Sequence, residues 1–567
     1  MLRAIALLCV IASLSADTGP VFEAADVHAT VVKGNNQYMR RISSRNGRYE
    51  LRIATMVDLI STAYGVDADK VLGGPNWLEY DVFDVIAKAP PKATADEKKA
   101  MLKALLADRF KLVAHPDTQP MPAWALTAGK KPNLKPADDS GETGCKFSME
   151  DMGPPPPPPP PSGGGAPSQP VFRVPAFLYT CRNIGMDAFA AQMRDMVTAD
   201  QDLNGNPVVD RTELKGNYDF TFKYNFAGMR AFAGPDAKSI TFTDAIEKQL
   251  GLKLEPVKVP LPVLVVESVN EKPTANLADV AAKLSTAPEP TEFEVADIKP
   301  SDPEQRGMRF NIQPGGRVSM SGVNLKFVIQ QAWGISSDML IGAPSWMDTA
   351  RFDIVAKAPA TAIPEEAAAP GPGPGNGPGV DIETVWTMMR SLLAERFKLT
   401  THEETQTISA YTLLPGKPKM KKADPNSRTH YKEGPAPDAK DPRKANPVLA
   451  RLVNCQNMTM DQFAEKLQGI APGYIHSPVL NSTGLDGGWD FTLNFSPAGL
   501  GTMLAGRGGR GGGEAGPGGA VGDASDPTGA VSLPEAIEKQ MGLKLEQQKR
   551  PVKVLVIDHI EQKPVDN

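Results

Sequence analysis

The chain has 567 residues and a formal net charge of −5, with 41% hydrophobic and 22% charged residues. That length accommodates several hydrophobic cores, and the charge balance excludes a global pull toward nucleic acid or anionic lipid. Proline (53) and glycine (51) gather in a few tracts, which leaves ordinary globular sequence between them.

The chain opens MLRAIALLCVIASLSADTG. Arg3 precedes an apolar run from Ala4 to Leu14 that is short for a bilayer span. Ser13, Ser15 and Ala16 are the small residues a signal peptidase prefers. Residues 1–16 therefore read as a signal peptide, and the product as an exported protein, periplasmic or extracellular. No later apolar stretch has membrane-spanning length, so no transmembrane segment is expected after cleavage. Cys145, Cys181 and Cys455 remain in the mature chain without any CxxC pair, which argues against a zinc knuckle or a thioredoxin-type site.

The first copy of a long repeat opens with FEAADVH at Phe22, and FEVADIK at Phe293 answers it. Both alternate as half-buried strands do. A second strand follows at Arg48 and at Arg317. Thr55 and Asn324 then stand as N-caps of helices that end in Tyr64-Gly65 and Trp333-Gly334. Matched turns, GGPNW at Gly73 and GAPSW at Gly342, each deliver a tryptophan. FDVIAKAP (Phe83 to Pro90) returns as FDIVAKAP (Phe352 to Pro359), a fixed-period return that marks duplication. A longer helix carries Met101, Leu102, Leu105, Leu106 and Phe110, or Met388, Met389, Leu392, Leu393 and Phe397, and runs into ADRFKL or AERFKL. Thr94 and Glu97 have capping-box spacing, and Arg109 and Arg396 complement the helix dipole. A strand pair carries His115 and then Trp124 in one copy, His402 and then Tyr411 in the other.

Low complexity interrupts both copies. Pro154 to Pro161 forms an extended spacer followed by Gly163 to Gly165. A polar stretch runs near Ser427 to Pro447, PGPGPGNGPG occupies Pro370 to Gly379, and a glycine-rich loop runs from Gly506 to Gly519. The second lobes then match: MDAFAAQM with MDQFAEKL, PVVDRTELKGNYDFTF with PVLNSTGLDGGWDFTL, AIEKQLGLKLE with AIEKQMGLKLE, and VLVVESV with VLVIDHI. The expected fold is α+β, in two tandem copies of a two-lobed module. Copy one covers 20–275, with lobes at about 20–140 and 171–272. A linker covers 276–291. Copy two covers 292–567, with lobes at about 292–425 and 446–564 and insertions at 360–380 and 501–530.

These motifs together, among them FEVADIKPS, GGRVSMSGVNLKFVIQQAWG, LLAERFKL and NSTGLDGGWDFTL, resemble the DUF3738 family of exported soil-bacterial proteins. The resemblance covers nearly the whole mature chain outside the low-complexity tracts. It implies export, an α+β fold and a sensing or binding role, and it brings no catalytic residues.

Equivalent placement makes His115 and His402 the first binding or acid–base candidates, and such a histidine needs a partner carboxylate within reach. Glu403 and Glu404 adjoin His402; Pro116 and Asp117 follow His115. Trp77 and Trp346, with Trp124 and Tyr411, either line a groove or fill a core. Asp84 and Lys88, like Asp353 and Lys357, share a strand face about 13 Å apart and are not a contact pair by spacing. No HExxH or GxSxG motif occurs, so no catalytic residue, metal or cofactor is assigned. Cys145 and Cys181 flank the proline insertion and would pair in an oxidising compartment, with Cys181–Cys455 as the rival pairing. The reading is a non-enzymatic binding or sensing module of the bacterial envelope. Its partner would be an envelope macromolecule or a cell-wall-derived ligand, not nucleic acid. An extracytoplasmic hydrolase with an unrecognised active site is the alternative.

Overall fold

The computed structural model describes residues 19–30, 40–43, 47–138, 141–149, 176–197, 203, 205–225, 240–284, 290–302, 307–313, 315–363, 380–434, 441–446, 448–499 and 529–565. The signal-peptide stretch 1–16, the proline run 154–161 with 163–165, and the tracts 370–379 and 506–519 lie outside them. Among the described residues no helix is long and apolar enough to cross a membrane.

The first lobe of copy one contains β1 (Ala24–Ala29), β2 (Arg40–Ser43), β3 (Arg48–Thr55), α1 (Met56–Tyr64), β4 (Val71–Gly73), β5 (Val82–Lys88) and α2 (Ala95–Arg109). Its sheet has the order β1-β5-β3-β2. Thr55 caps α1 by accepting from the Asp58 N–H, and Gly65 ends it at φ 66°. Thr94 caps α2 in a capping box with Glu97. The chain then enters β6 (Val113–Ala128), a single strand of 16 residues in place of the strand pair expected from the sequence. The prolines at 116, 120 and 122 suggest breaks. The middle of β6 has only one neighbour, so a proline there whose nitrogen faces solvent removes no ladder bond.

The second lobe contains β7 (Lys135–Pro136), β8 (Gly144–Met149), β9 (Ala176–Ile184), α3 (Met186–Met196), β10 (Val208–Asp210), β11 (Tyr218–Asn225) and α4 (Phe242–Leu250), followed by β12 (Leu252–Ser268). Its sheet order, β7-β11-β9-β8, repeats that of the first lobe element for element. β6 and β12 pair antiparallel along their length as a ribbon joining the lobes. Each lobe lends its short strand to the ribbon strand that follows the other lobe: β4 runs parallel to β12, and β10 parallel to β6. Each copy is thus a duplicated lobe with exchanged long strands. A short helix α5 (Val280–Lys283) leads to copy two.

Copy two repeats this order with β13 (Val295–Pro300), β14 (Arg309–Ile312), β15 (Arg317–Val323), α6 (Leu325–Trp333), β16 (Leu340–Ile341), α7 (Trp346–Thr349), β17 (Phe352–Lys357), α8 (Ile382–Arg396) and β18 (Thr400–Leu414). Then follow β19 (Lys421–Lys422), β20 (His430–Glu433), β21 (Arg451–Met458), α9 (Met460–Ile470), β22 (Leu480–Asn481), β23 (Trp489–Phe495), α10 (Leu533–Ala536) and β24 (Lys544–His559). A π-helical turn, Ile537–Met541, continues α10.

Each lobe has its own apolar core, built around Phe83 and Phe110, Phe189 and Phe222, Phe352 and Phe397, or Phe463 and Phe495. One aspartate recurs in all four lobes. Asp84, Asp219, Asp353 and Asp490 accept the backbone N–H of Ile53, Asn183, Gly322 and Asn457, each at 2.9 Å. Those four residues have left-handed φ of 53°, 44°, 67° and 47° and sit at a bulge just before a helix. The carboxylate satisfies a donor that the bulge removes from the ladder.

Candidate functional site

On the ribbon of copy one, His115 Nδ1 lies 2.7 Å from Glu267 Oε1, and both side chains are about half exposed. On the ribbon of copy two, His402 Nδ1 lies 2.8 Å from Asp558 Oδ1, and Glu404 Oε2 lies 3.9 Å from Nε2. Glu267 and Asp558 occupy matching places, VLVVES against VLVIDH, so the imidazole–carboxylate pair is kept in both copies. The register explains the choice of partner. His402 faces Val556, and Asp558 is its diagonal neighbour on the same face. Glu403, the nearer residue in sequence, points to the opposite face. The hydrogen bond to Asp558 raises the His402 pKa above its ordinary value. Such a pair orients one ring nitrogen and can exchange protons or meet a polar ligand. It stands on an exposed strand surface, where water competes for every contact. Among the described residues no group of three or more histidine, cysteine or acidic side chains could hold a metal.

The tryptophans are not brought together. Trp77 packs edge-on to Phe83, 6.1 Å between centroids, against the first-lobe core of copy one. Trp346 packs against the first-lobe core of copy two. Trp124 donates Nε1–H to Leu203 O at 3.1 Å in the second lobe of copy one, and Tyr411 lies against the second-lobe core of copy two. Arg109 does more than complement a dipole. It is buried, and it donates to Thr274 and Asn276, which fastens the end of copy one to its first lobe.

Cys145 and Cys181 face each other across β8 and β9 and are bonded, with Cα atoms 4.0 Å apart. In copy two Tyr431 stands opposite Cys455 at the same register. Cys455 is buried, and burial pushes its thiol pKa up, so it is a poor nucleophile.

The residues that sequence reading missed lie where the copies meet. The turn from Gly73 to Tyr80 seats on the second lobe of copy two. Glu79 Oε1 lies 2.8 Å from Arg428 Nη1, and Arg428 Nη2 donates to Gly73 O. Thr429 N–H donates to Asn76 O at 2.9 Å, and Asn76 Nδ2 to Pro425 O at 3.1 Å. Tyr80 donates its hydroxyl to Glu465 Oε2 at 2.9 Å, with Lys466 Nζ 5.0 Å from its ring centroid. His430 Nδ1 stands 3.6 Å from Glu79 Oε2, and burial lowers its pKa. Burial, then Glu465, raises that of Tyr80. Asn457, the bulge residue, shapes the receiving loop by donating to Ser427 O at 2.6 Å. One signal was available: Glu79-Tyr80 and Arg428 are among the positions at which the two copies differ.

The folded unit is therefore a tandem, two-lobed α+β module with a matched polar pair on each ribbon. The family described as "Protein of unknown function (DUF3738)" matches residues 57–269 and again 326–560, and the chain belongs to it. No curated protein and no solved structure matches the chain.

Proposed function

We propose that the protein is a non-enzymatic binding or sensing module of the bacterial envelope, exported and presenting two related domains to a macromolecule or cell-wall-derived ligand. One observation carries this reading: the polar pair common to both copies is displayed half exposed on a strand surface, not enclosed. Catalytic pairs work in sites that exclude water, whereas this pair stands in water and forms at most a minor part of a wider recognition surface. The disulfide supports an oxidising compartment. Two similar domains on one chain would gain avidity for a repeated target.

Purified full-length protein should be retained by envelope fractions or cell-wall fragments and turn over neither peptides, esters nor glycans. Exposed ion pairs contribute little, so replacing His115 and His402 together by alanine should leave retention nearly intact. Turnover that the double substitution abolishes would favour the extracytoplasmic hydrolase, for which the oriented imidazoles are the supporting observation.

A further inference from the structure

We propose that the second lobe of copy two is a docking surface selective for the Gly73–Tyr80 turn: its charges admit that turn and reject the equivalent turn of copy two, and the covalent linker makes the contact within one chain. The duplication creates two such turns and two such surfaces, hence four possible pairings. The equivalents can be read from the repeat. In the turn, Asn76, Glu79 and Tyr80 correspond to Ser345, Asp348 and Thr349. On the surface, the registers of Cys145 with Cys181 and of Tyr431 with Cys455 set Glu142 against Arg428 and Gly144 against His430. In the helix, Ala191 and Gln192 stand where copy two has Glu465 and Lys466.

Three pairings are disfavoured on these residues. The copy-one surface offers Glu142, which repels Glu79 and Asp348 alike and is already paired with Lys146. It also has neither partner for the Tyr80 ring and hydroxyl. The copy-two surface would attract Asp348, but that carboxylate is held by Lys326 at 3.0 Å, and Thr349 has no ring to place beside Lys466. Only the Gly73–Tyr80 turn on the copy-two surface satisfies charge, ring and hydroxyl together. The favoured contact, made between chains, would string them head to tail without closing, so the linker that holds the two copies near each other is what closes it within one chain. Specificity here comes from repulsion at the wrong surface as much as attraction at the right one.

The test uses the full-length chain with spin labels at Lys99→Cys and Glu546→Cys, exposed positions on rigid elements of the two facing lobes. Pulsed dipolar spectroscopy should give one narrow distance in the parent. Arg428→Glu and Glu79→Arg should each broaden and lengthen the distribution, and the double exchange should restore it. An unchanged distribution in both single variants, or a double exchange that stays broad, would overturn the proposal. If Arg428→Glu loses its far-ultraviolet dichroism, Glu79→Arg carries the same comparison from the opposite lobe. Sedimentation should find the parent monomeric across a wide concentration range. A parent dimer that Arg428→Glu dissolves would place the contact between chains and defeat the claim.

Discussion

His402 shows how a residue's partner depends on register more than on proximity in sequence. Its carboxylate comes from Asp558, 156 residues away, and strand alternation turns adjacent Glu403 to the other face. From the chain alone, Glu403, Glu404 and Asp558 could not be ranked, because pairing across a ribbon leaves no local mark. The folded pKa of His402 is raised, with the Asp558 hydrogen bond as the main cause. The pair therefore adds its small stability below the ordinary value of about 6.5 and loses it as pH rises through the raised folded value. Proton NMR should place the His402 midpoint above that ordinary value, and Asp558→Asn should bring it down. A midpoint indifferent to Asp558→Asn would count against the pair. The cysteines follow the same logic. The sequence left two pairings open because only the register reveals that Tyr431 occupies the place of Cys145 in copy two.

Helices and their caps were legible because their signals are local: a hydroxyl before an apolar period, a glycine after it. Bulges were not. Of the four clamped positions, two are asparagine, one glycine and one Ile53, a β-branched residue that seldom adopts positive φ. What survives in sequence is an aromatic–aspartate dipeptide, Phe83-Asp84, Tyr218-Asp219, Phe352-Asp353 and Trp489-Asp490, too short to announce a repeat. The sequence puts Asp84 and Asp353 on strands, with Lys88 and Lys357 on the same strand face too far along to be contact partners. The partner is the backbone of the next strand. Replacing Asp353 by alanine strands the Gly322 N–H, which should cost about 1–3 kcal/mol. Asparagine keeps an acceptor and should cost less. Thermal unfolding that ranks Asp353→Asn as the worse variant would contradict this role.

At the scale of the molecule, the duplication was plain and the second duplication inside it was not. Two copies 269 residues apart in FDVIAKAP still share whole phrases. The two lobes within a copy share only strand order, the bulge clamp and a left-handed residue after the second helix, Lys111, Gly251, Lys398 and Gly542. The ribbon, with strands exchanged between lobes, makes each copy one unit whose sheets and cores draw on its own residues. Residues 19–284 and 290–567, produced separately, should therefore each unfold in a single cooperative transition by both fluorescence and circular dichroism. Non-coincident curves within one half would show that its lobes are independent. The ribbon also decides where a copy begins and ends. Copy one enters at β1 and, after its second lobe, returns along β12 to the first, where Val27 N–H meets Asn276 Oδ1 at 3.0 Å. Mechanical tension along the chain therefore enters and leaves through the first lobe, clamped by Arg109. The second lobe is a pendant off the load path and keeps its shape while the tether is pulled.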